Sequence, residues 1–272
     1  MSTAALVEPV LQLARAAGEA ILAVYRGAFD VELKGDRSPL TEADLAAHRL
    51  LVRGLSQLRP SLPVLSEESA AQVPASERLA WRSYWLVDPL DGTREFIKRN
   101  DEFTVNIALV EDHRPVFGVV YAPALDELAW AWRGRGAWLE RGGERVPLHT
   151  RAAPAVPVVC ISRSHADAGT LALLDAIGGH ATLPAGSALK FIRLAQGAAD
   201  LYPRLGPTSE WDTAAGQCVL EEAGGRLVDF AGTPFRYNRG DSLLNPGFLA
   251  WGDAGADWLR RLQPVLPGET QA

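Results

Sequence analysis

Tyr84 to Val87 form an apolar, strand-like run that ends in "DPLDGT", so Asp88 and Asp91 stand three positions apart beside a stretch suited to burial. Any fold of this chain must compensate those charges, because at an effective dielectric of ~20 two like charges ~4 Å apart repel by roughly 4 kcal/mol. Taken alone, "DPLDG" reads as a turn, since Pro, Asp and Gly are the residues that turns favour. Two further acidic element ends change the reading: "SEES" places Glu67 and Glu68 at a strand end, and "WDTAAG" places Asp212 in the opening of a helix. Three acidic termini call for a shared cation. Neither a His cluster nor a Cys pair accompanies them, so the ion must be a hard one with oxygen ligands, Mg²⁺ before Zn²⁺.

The flanking patterns predict an α+β chain. Leu6, Val10, Leu13, Ala17, Ile21 and Val24 recur at helical spacing over Thr3–Tyr25, with Gly27 as the stop. A short strand near Val31 to Lys34 precedes a second helix with Thr41 as its cap and Leu45, Leu51, Val52 and Leu55 on its buried side. After the acidic motif comes a helical turn, "TREFIKR", and from Phe103 to Val146 alternating apolar runs broken by Asp, Gly and Pro read as an antiparallel meander. Trp130, Trp132 and Trp138 are assigned to packing in that meander. Beyond Pro147 shorter strands alternate with helices, including "SALKFIRLAQ" and the helix from Glu210 that stops at Gly224 and Gly225. The expected organisation is two lobes, 1–150 and 151–272, meeting without a flexible linker.

Composition narrows the function. A chain of 272 residues with net charge −6 and only three lysines, Lys34, Lys98 and Lys190, has no basic stripe for a nucleic-acid polymer. Cys160 and Cys218 lack ligand or framework spacing, which suits a reducing compartment. Glu8, Arg15 and Glu19 interrupt any signal-peptide core and no run approaches the ~20 apolar residues of a membrane span, so a cytoplasmic protein is expected.

Gly92 and Thr93 follow the aspartates directly. A glycine allows close backbone approach and free amides at a helix start bind phosphate oxygens, so metal carboxylates followed by such a cradle suggest phosphoryl chemistry. Asp44, three places after Thr41, reads from spacing as part of a capping box.

"DPLDGT" and "WDTAAGQCVLEEAGG" resemble the two signatures of the inositol monophosphatase superfamily of Mg²⁺-dependent, lithium-sensitive phosphatases. "LSEES", "YWLVDPLDGTREFIKRNDEFTVNIALV", "GVVYAP", "ISRSHAD", "GSALKF", "LYPRLGPTSEWDTAAG" and "LNPGF" are similar in order to its CysQ branch, the bacterial 3′(2′),5′-bisphosphate nucleotidases. In that branch Lys-Glu-Phe commonly follows the Asp-Gly-Thr; here Arg94 replaces the Lys and keeps its charge. The resemblance implies a layered αβαβα sandwich of the sugar phosphatase type.

It further implies two or three Mg²⁺ per active site, one on Glu67, Asp88 and the Leu90 carbonyl, a second on Asp88, Asp91 and Asp212. Thr93 and Asp44 would orient a water for in-line attack, which gives Asp44 a role beyond capping. The substrate would meet Glu67, Leu90, Asp91, Gly92, Thr93 and Asp212 around the reacting phosphate, and His165, Ser187, Lys190 and Arg204 around a 5′-phosphate. Glu68 is either an acceptor behind the metal ligands or a solvated neighbour. The implied reaction is hydrolysis of adenosine 3′,5′-bisphosphate, or of its sulfo-derivative, within sulfate assimilation. Inositol-1-phosphatase and fructose-1,6-bisphosphatase activities are the alternatives within the fold, and a non-catalytic nucleotide sensor is the alternative outside enzymes. Peripheral attachment at the inner membrane belongs to the resemblance and has no support in the residues; oligomeric state is left open.

Overall fold

A computed structural model of the chain describes residues 4–33, 39–163 and 168–266. The chain begins with α1 (Ala4–Tyr25), β1 (Val31–Leu33), β2 (Pro39–Thr41), α2 (Glu42–Gln57), β3 (Val64–Ser66), α3 (Glu67–Ala70) and α4 (Ala75–Arg78). It continues through β4 (Ser83–Asp91), α5 (Thr93–Ile97), β5 (Thr104–Glu111), β6 (Arg114–Ala122), β7 (Glu127–Trp132), β8 (Ala137–Arg141) and β9 (Glu144–Leu148). The second half holds β10 (Val158–Ser162), α6 (Ala168–Ile177), β11 (Ala181–Ala185), α7 (Leu189–Ala195), β12 (Leu201–Arg204), β13 (Thr208–Ser209) and α8 (Glu210–Glu222). It closes with β14 (Arg226–Asp229), β15 (Leu244–Asn245), β16 (Phe248–Trp251) and α9 (Trp258–Leu262). Among the described residues no helix is long and apolar enough to cross a membrane.

Seven strands form one sheet in the order β3-β4-β5-β6-β7-β8-β9, parallel only between β3 and β4. Five form a second sheet, β11-β10-β12-β16-β14, in which β10 runs parallel to both β11 and β12. Strand periodicity shows how the layers are built, because successive side chains face opposite sides of a sheet. On β4, Trp85 and Val87 enter a core with Leu11, Ile21 and Leu51 of α1 and α2, while Tyr84 and Leu86 enter another with Phe191, Val219 and Leu220 of α7 and α8. On β12, Tyr202 joins that central core and Leu201 faces a third with Leu173, Trp258 and Leu262. The layers therefore run α1/α2, large sheet, α7/α8, small sheet, α6/α9, which is the αβαβα sandwich.

Close approach in the middle layer needs a glycine. A Cβ on Gly118 of β6 would lie 2.5 Å from the Ala215 carbonyl oxygen and 2.9 Å from Cys218 Cβ of α8. Gly118→Val is expected to lift α8 off the sheet, costing about 1–3 kcal/mol in denaturant unfolding. Unchanged stability would show that the helix has room to spare.

Local differences from the expectations have clear causes. The buried face of α2 is Ala43, Ala47, Leu51 and Leu55, an i, i+4 row, whereas Leu45 and Val52 flank it half-buried. Pro39–Thr41 forms a strand paired with β1 and leads into the helix, a pairing that no local pattern announces. The acidic motif is not a turn after the strand: β4 runs through Asp91. Trp130 stacks on Trp138 at 6.3 Å and Trp132 packs on Phe117 at 5.0 Å, within the meander as expected. Both cysteines are buried and free.

Candidate active site

Chain direction puts the site at one rim. β3, β4, β10, β11 and β12 all end at the same cleft, which is lined by Glu67 just after β3, Asp91 at the end of β4, and Ser162, Ala185 and Arg204 at the last positions of the other three. Ligands of open α/β sheets bind at the carboxyl ends of strands for this reason. The cleft encloses about 840 Å³ including its open mouth.

Strand alternation alone would send Asp88 and Asp91 to opposite faces. The β4–β5 register shifts between these two residues, where Pro89 lacks a ladder N–H. The Leu90 N–H donates to Asp88 Oδ1 at 3.1 Å, and Gly92 follows in the left-handed region at φ 88°. As a result carboxylate oxygens of Asp88, Asp91 and Asp212 lie within 4.8 Å of one another. Asp212 is delivered by the first turn of α8, where the Ser209 N–H donates to its Oδ2 at 2.8 Å. Glu67 opens α3 and lines the same cleft; its charge acts on Asp88, Asp91 and Asp212.

Asp44 serves two neighbours. Its Oδ2 accepts from the Thr41 N–H at 2.8 Å and from Thr41 Oγ1 at 2.6 Å, and its Oδ1 accepts from Thr93 Oγ1 at 3.3 Å. The Thr93 hydroxyl also lies 3.3 Å from the Leu90 carbonyl oxygen. The cap seen in the sequence and the contact with Thr93 thus coexist on one carboxylate.

Burial, then the charge of Glu67, raises Asp88 well above the ordinary carboxylate range. Burial also raises Asp91, to about 6 against the opposing Lys190, and raises Asp212, reinforced by Asp91, to about 8. Such a cluster holds protons until a cation replaces them. An all-oxygen set of this kind fits a hard divalent ion, and the donor chemistry matches Mg²⁺ better than a soft metal.

A second group of polar side chains shares the cleft. Lys190, buried on α7, donates from Nζ to the Ser187 carbonyl at 2.6 Å and to Ala185 at 3.1 Å, and sits 5.1 Å from the Tyr202 ring centroid. Among the described residues two of its three donors are thereby used. Ser187 has φ 43° and its buried Oγ has no hydrogen-bond partner among the described residues. Arg204 is braced by Ser162 Oγ at 2.8 Å and by the carbonyls of Gly206 and Pro207, which takes three of its five donors.

The structure therefore brings together Asp44, Glu67, Asp88, Leu90, Asp91, Gly92, Thr93, Ser187, Lys190, Arg204 and Asp212. His165 lies outside the described residues. His48 and His113, left without a site role, bond Ser66 Oγ and the Tyr237 carbonyl. Sequence reasoning missed Asn106, which donates to Asp91 Oδ2 at 3.3 Å and accepts from Thr104 Oγ1 at 3.0 Å, and it missed Tyr202 under Lys190. A lone amide inside the apolar run "FTVNIALV" was the available signal for the first; nothing local marks the second.

A model of the inositol monophosphatase family matches residues 4–258, and the chain belongs to that family. Within it the likeness is to CysQ-type bisphosphate nucleotidases. The 3′(2′),5′-bisphosphate nucleotidase CysQ of Escherichia coli is 52% identical over 246 residues, covering 89% of this chain and 98% of the relative. The CysQ of Haemophilus influenzae is 36% identical over 257 residues, covering 93% and 95%. The crystal structure of CysQ from Bacteroides thetaiotaomicron superposes with a TM-score of 0.82 at 37% identity, over 92% of this chain and 98% of that one.

Proposed function

We propose that the chain is a Mg²⁺-dependent 3′(2′),5′-bisphosphate nucleotidase that hydrolyses adenosine 3′,5′-bisphosphate, and its sulfo-derivative, to AMP or the corresponding sulfate and inorganic phosphate. The observation that carries this is one cleft holding the Asp88, Asp91 and Asp212 cluster together with the Lys190 and Arg204 cations. An inositol monophosphate offers one phosphate and gives the second group nothing to bind. The names of the CysQ relatives point to the same substrate class.

Two or three Mg²⁺ ions held by Glu67, Asp88, the Leu90 carbonyl, Asp91 and Asp212 would draw charge from the phosphate and from the departing ribose oxygen. The amides of Gly92 and Thr93 receive the equatorial phosphate oxygens. Thr93 Oγ1, donating to Asp44 Oδ1, keeps lone pairs that accept from a water and align it opposite the ribose oxygen. Water adds to phosphorus, the bond from phosphorus to the ribose oxygen breaks, and the water's proton passes toward Asp44 while the leaving oxygen takes one from solvent. Ser187, Lys190 and Arg204 would hold the 5′-phosphate; His165 is added there by the resemblance alone.

Phosphate release from adenosine 3′,5′-bisphosphate, inositol 1-phosphate and fructose 1,6-bisphosphate, with Mg²⁺ and with added Li⁺, tests the assignment. Faster turnover of either sugar phosphate would reverse it. Binding of the nucleotide without phosphate release would instead support a sensor. Lys190→Ala is expected to raise KM for the bisphosphate about 10- to 100-fold with a smaller change in kcat, as loss of uniform binding does. A collapse of kcat at unchanged KM would place Lys190 at the reacting phosphate instead.

A further inference from the structure

Glu102 stands in the turn before β5, outside the metal cluster, and three segments converge on it. Arg163 grips its carboxylate with two bonds, Nε to Oε2 and Nη2 to Oε1, each 2.7 Å. The Gly186 N–H donates to Oε2 at 2.8 Å, and Arg163 also donates to the Pro184 carbonyl at 3.1 Å. Burial opposes ionisation of Glu102, but the Arg163 and Gly186 bonds outweigh it and hold the acid below its ordinary range. An exposed ion pair contributes little. This one is bidentate, the Glu102 side chain is only 18% exposed against 44% for Arg163, and a backbone donor is added.

The backbones beneath the pair are in contact. A Cβ on Gly186 would lie 2.6 Å from the Glu102 carbonyl oxygen; one on Gly92 would lie 3.2 Å from that same oxygen and 3.1 Å from Ser187 Cβ. Gly92 belongs to the cradle of the reacting phosphate, and the Ser187 carbonyl fixes Lys190 Nζ. Both glycine turns pack on the Glu102 carbonyl, and the Glu102 carboxylate holds the Gly186 turn there.

We infer that the Glu102–Arg163 pair sets the distance between the site of the reacting phosphate and the site of the second phosphate, and so determines the preference for a bisphosphate over a monophosphate. This rests on the bisphosphate reading above. Glu102 is a positioning residue, acting through Gly186 and Ser187 on Lys190. Losing it frees the Gly186 N–H and lets the 186–190 segment drift from Gly92. The reacting phosphate keeps its own ligands, so a substrate with one phosphate is not affected.

Steady-state kinetics of wild type, Glu102→Ala and Glu102→Gln with adenosine 3′,5′-bisphosphate and with adenosine 3′-monophosphate test this, alongside thermal melting. Glu102→Ala is expected to raise KM for the bisphosphate about tenfold with kcat within about twofold, and to leave kcat/KM for the monophosphate unchanged. The selectivity ratio then falls about tenfold. Glu102→Gln keeps an oxygen for Gly186 but loses the two-bond grip of Arg163, so its ratio falls less; it carries the measurement should the alanine variant not fold. Equal losses on both substrates, or a lower melting temperature with selectivity intact, would overturn the inference and leave the functional assignment standing. A wild-type enzyme without preference for the bisphosphate would overturn both.

Discussion

Asp88→Asn is expected to reduce phosphate release by about 10³-fold or more while making the metal-free protein more stable. Asp88 is the buried member of the cluster and is surrounded by the charges of Glu67, Asp91, Asp212 and Asp44. Each close like-charge contact costs a few kcal/mol at an intermediate dielectric, so removing one carboxylate relieves the apo fold and at the same time removes an oxygen ligand that the proposed cations would use. A gain of roughly 1–3 kcal/mol corresponds to a melting temperature several degrees higher for a chain of this size. Asp91→Asn and Asp212→Asn should follow the same pattern with a smaller stability gain, because each is only half-buried. Activity assays with Mg²⁺ and thermal melting in chelator check the two halves separately. An inactive variant that is also less stable would mean that Asp88 holds the fold, and an active one would remove the metal cluster from the mechanism.

The largest solution effect should be a coupling of Mg²⁺, protons and stability. Asp91 at about 6, Asp212 at about 8 and the raised Asp88 all lie above the ~4 of an unfolded aspartate, so the folded apo protein binds more protons than the unfolded chain. Their contribution to apo stability is fully present below about pH 4 and is lost as pH rises through about 6 and 8, on the order of a few kcal/mol. On the proposed function, Mg²⁺ would bind the deprotonated cluster. The stabilisation by Mg²⁺ should therefore grow between about pH 6 and 8, and binding should release protons. Melting temperatures with and without Mg²⁺ across that range, and calorimetric titration in two buffers of different ionisation enthalpy, measure both. A metal-induced shift that is flat with pH would show that the ion binds elsewhere.

Much of the architecture could be read from local patterns. The 3.6-residue recurrence of Leu6, Val10, Ala17 and Ile21 gives α1, and the apolar runs "FTVNIALV" and "GVVYAP", set off by turn residues, give the meander. These signals are local because the residues of each element that meet a core recur within a few positions. β2, β13 and β15 escaped, each being two or three residues long and held only by its partner strand. Leu45 and Val52, apolar and expected on the buried side of α2, instead flank the buried row of Ala43, Ala47, Leu51 and Leu55.

Residue types alone pointed toward the chemistry: acids at three element ends, no soft ligands, and a glycine beside a threonine suggest a hard cation and a phosphate. They could not show that a register shift at Pro89 turns Asp88 and Asp91 to the same side, or that five strands from both halves of the chain end at one rim. Nor could they show that the Glu102 carboxylate ties Gly186 to Arg163 across 84 and 61 positions of sequence. Propensity and periodicity act over a few residues and are written in the chain, whereas the distance between two charges depends on how separate layers pack, and only the assembled fold decides it.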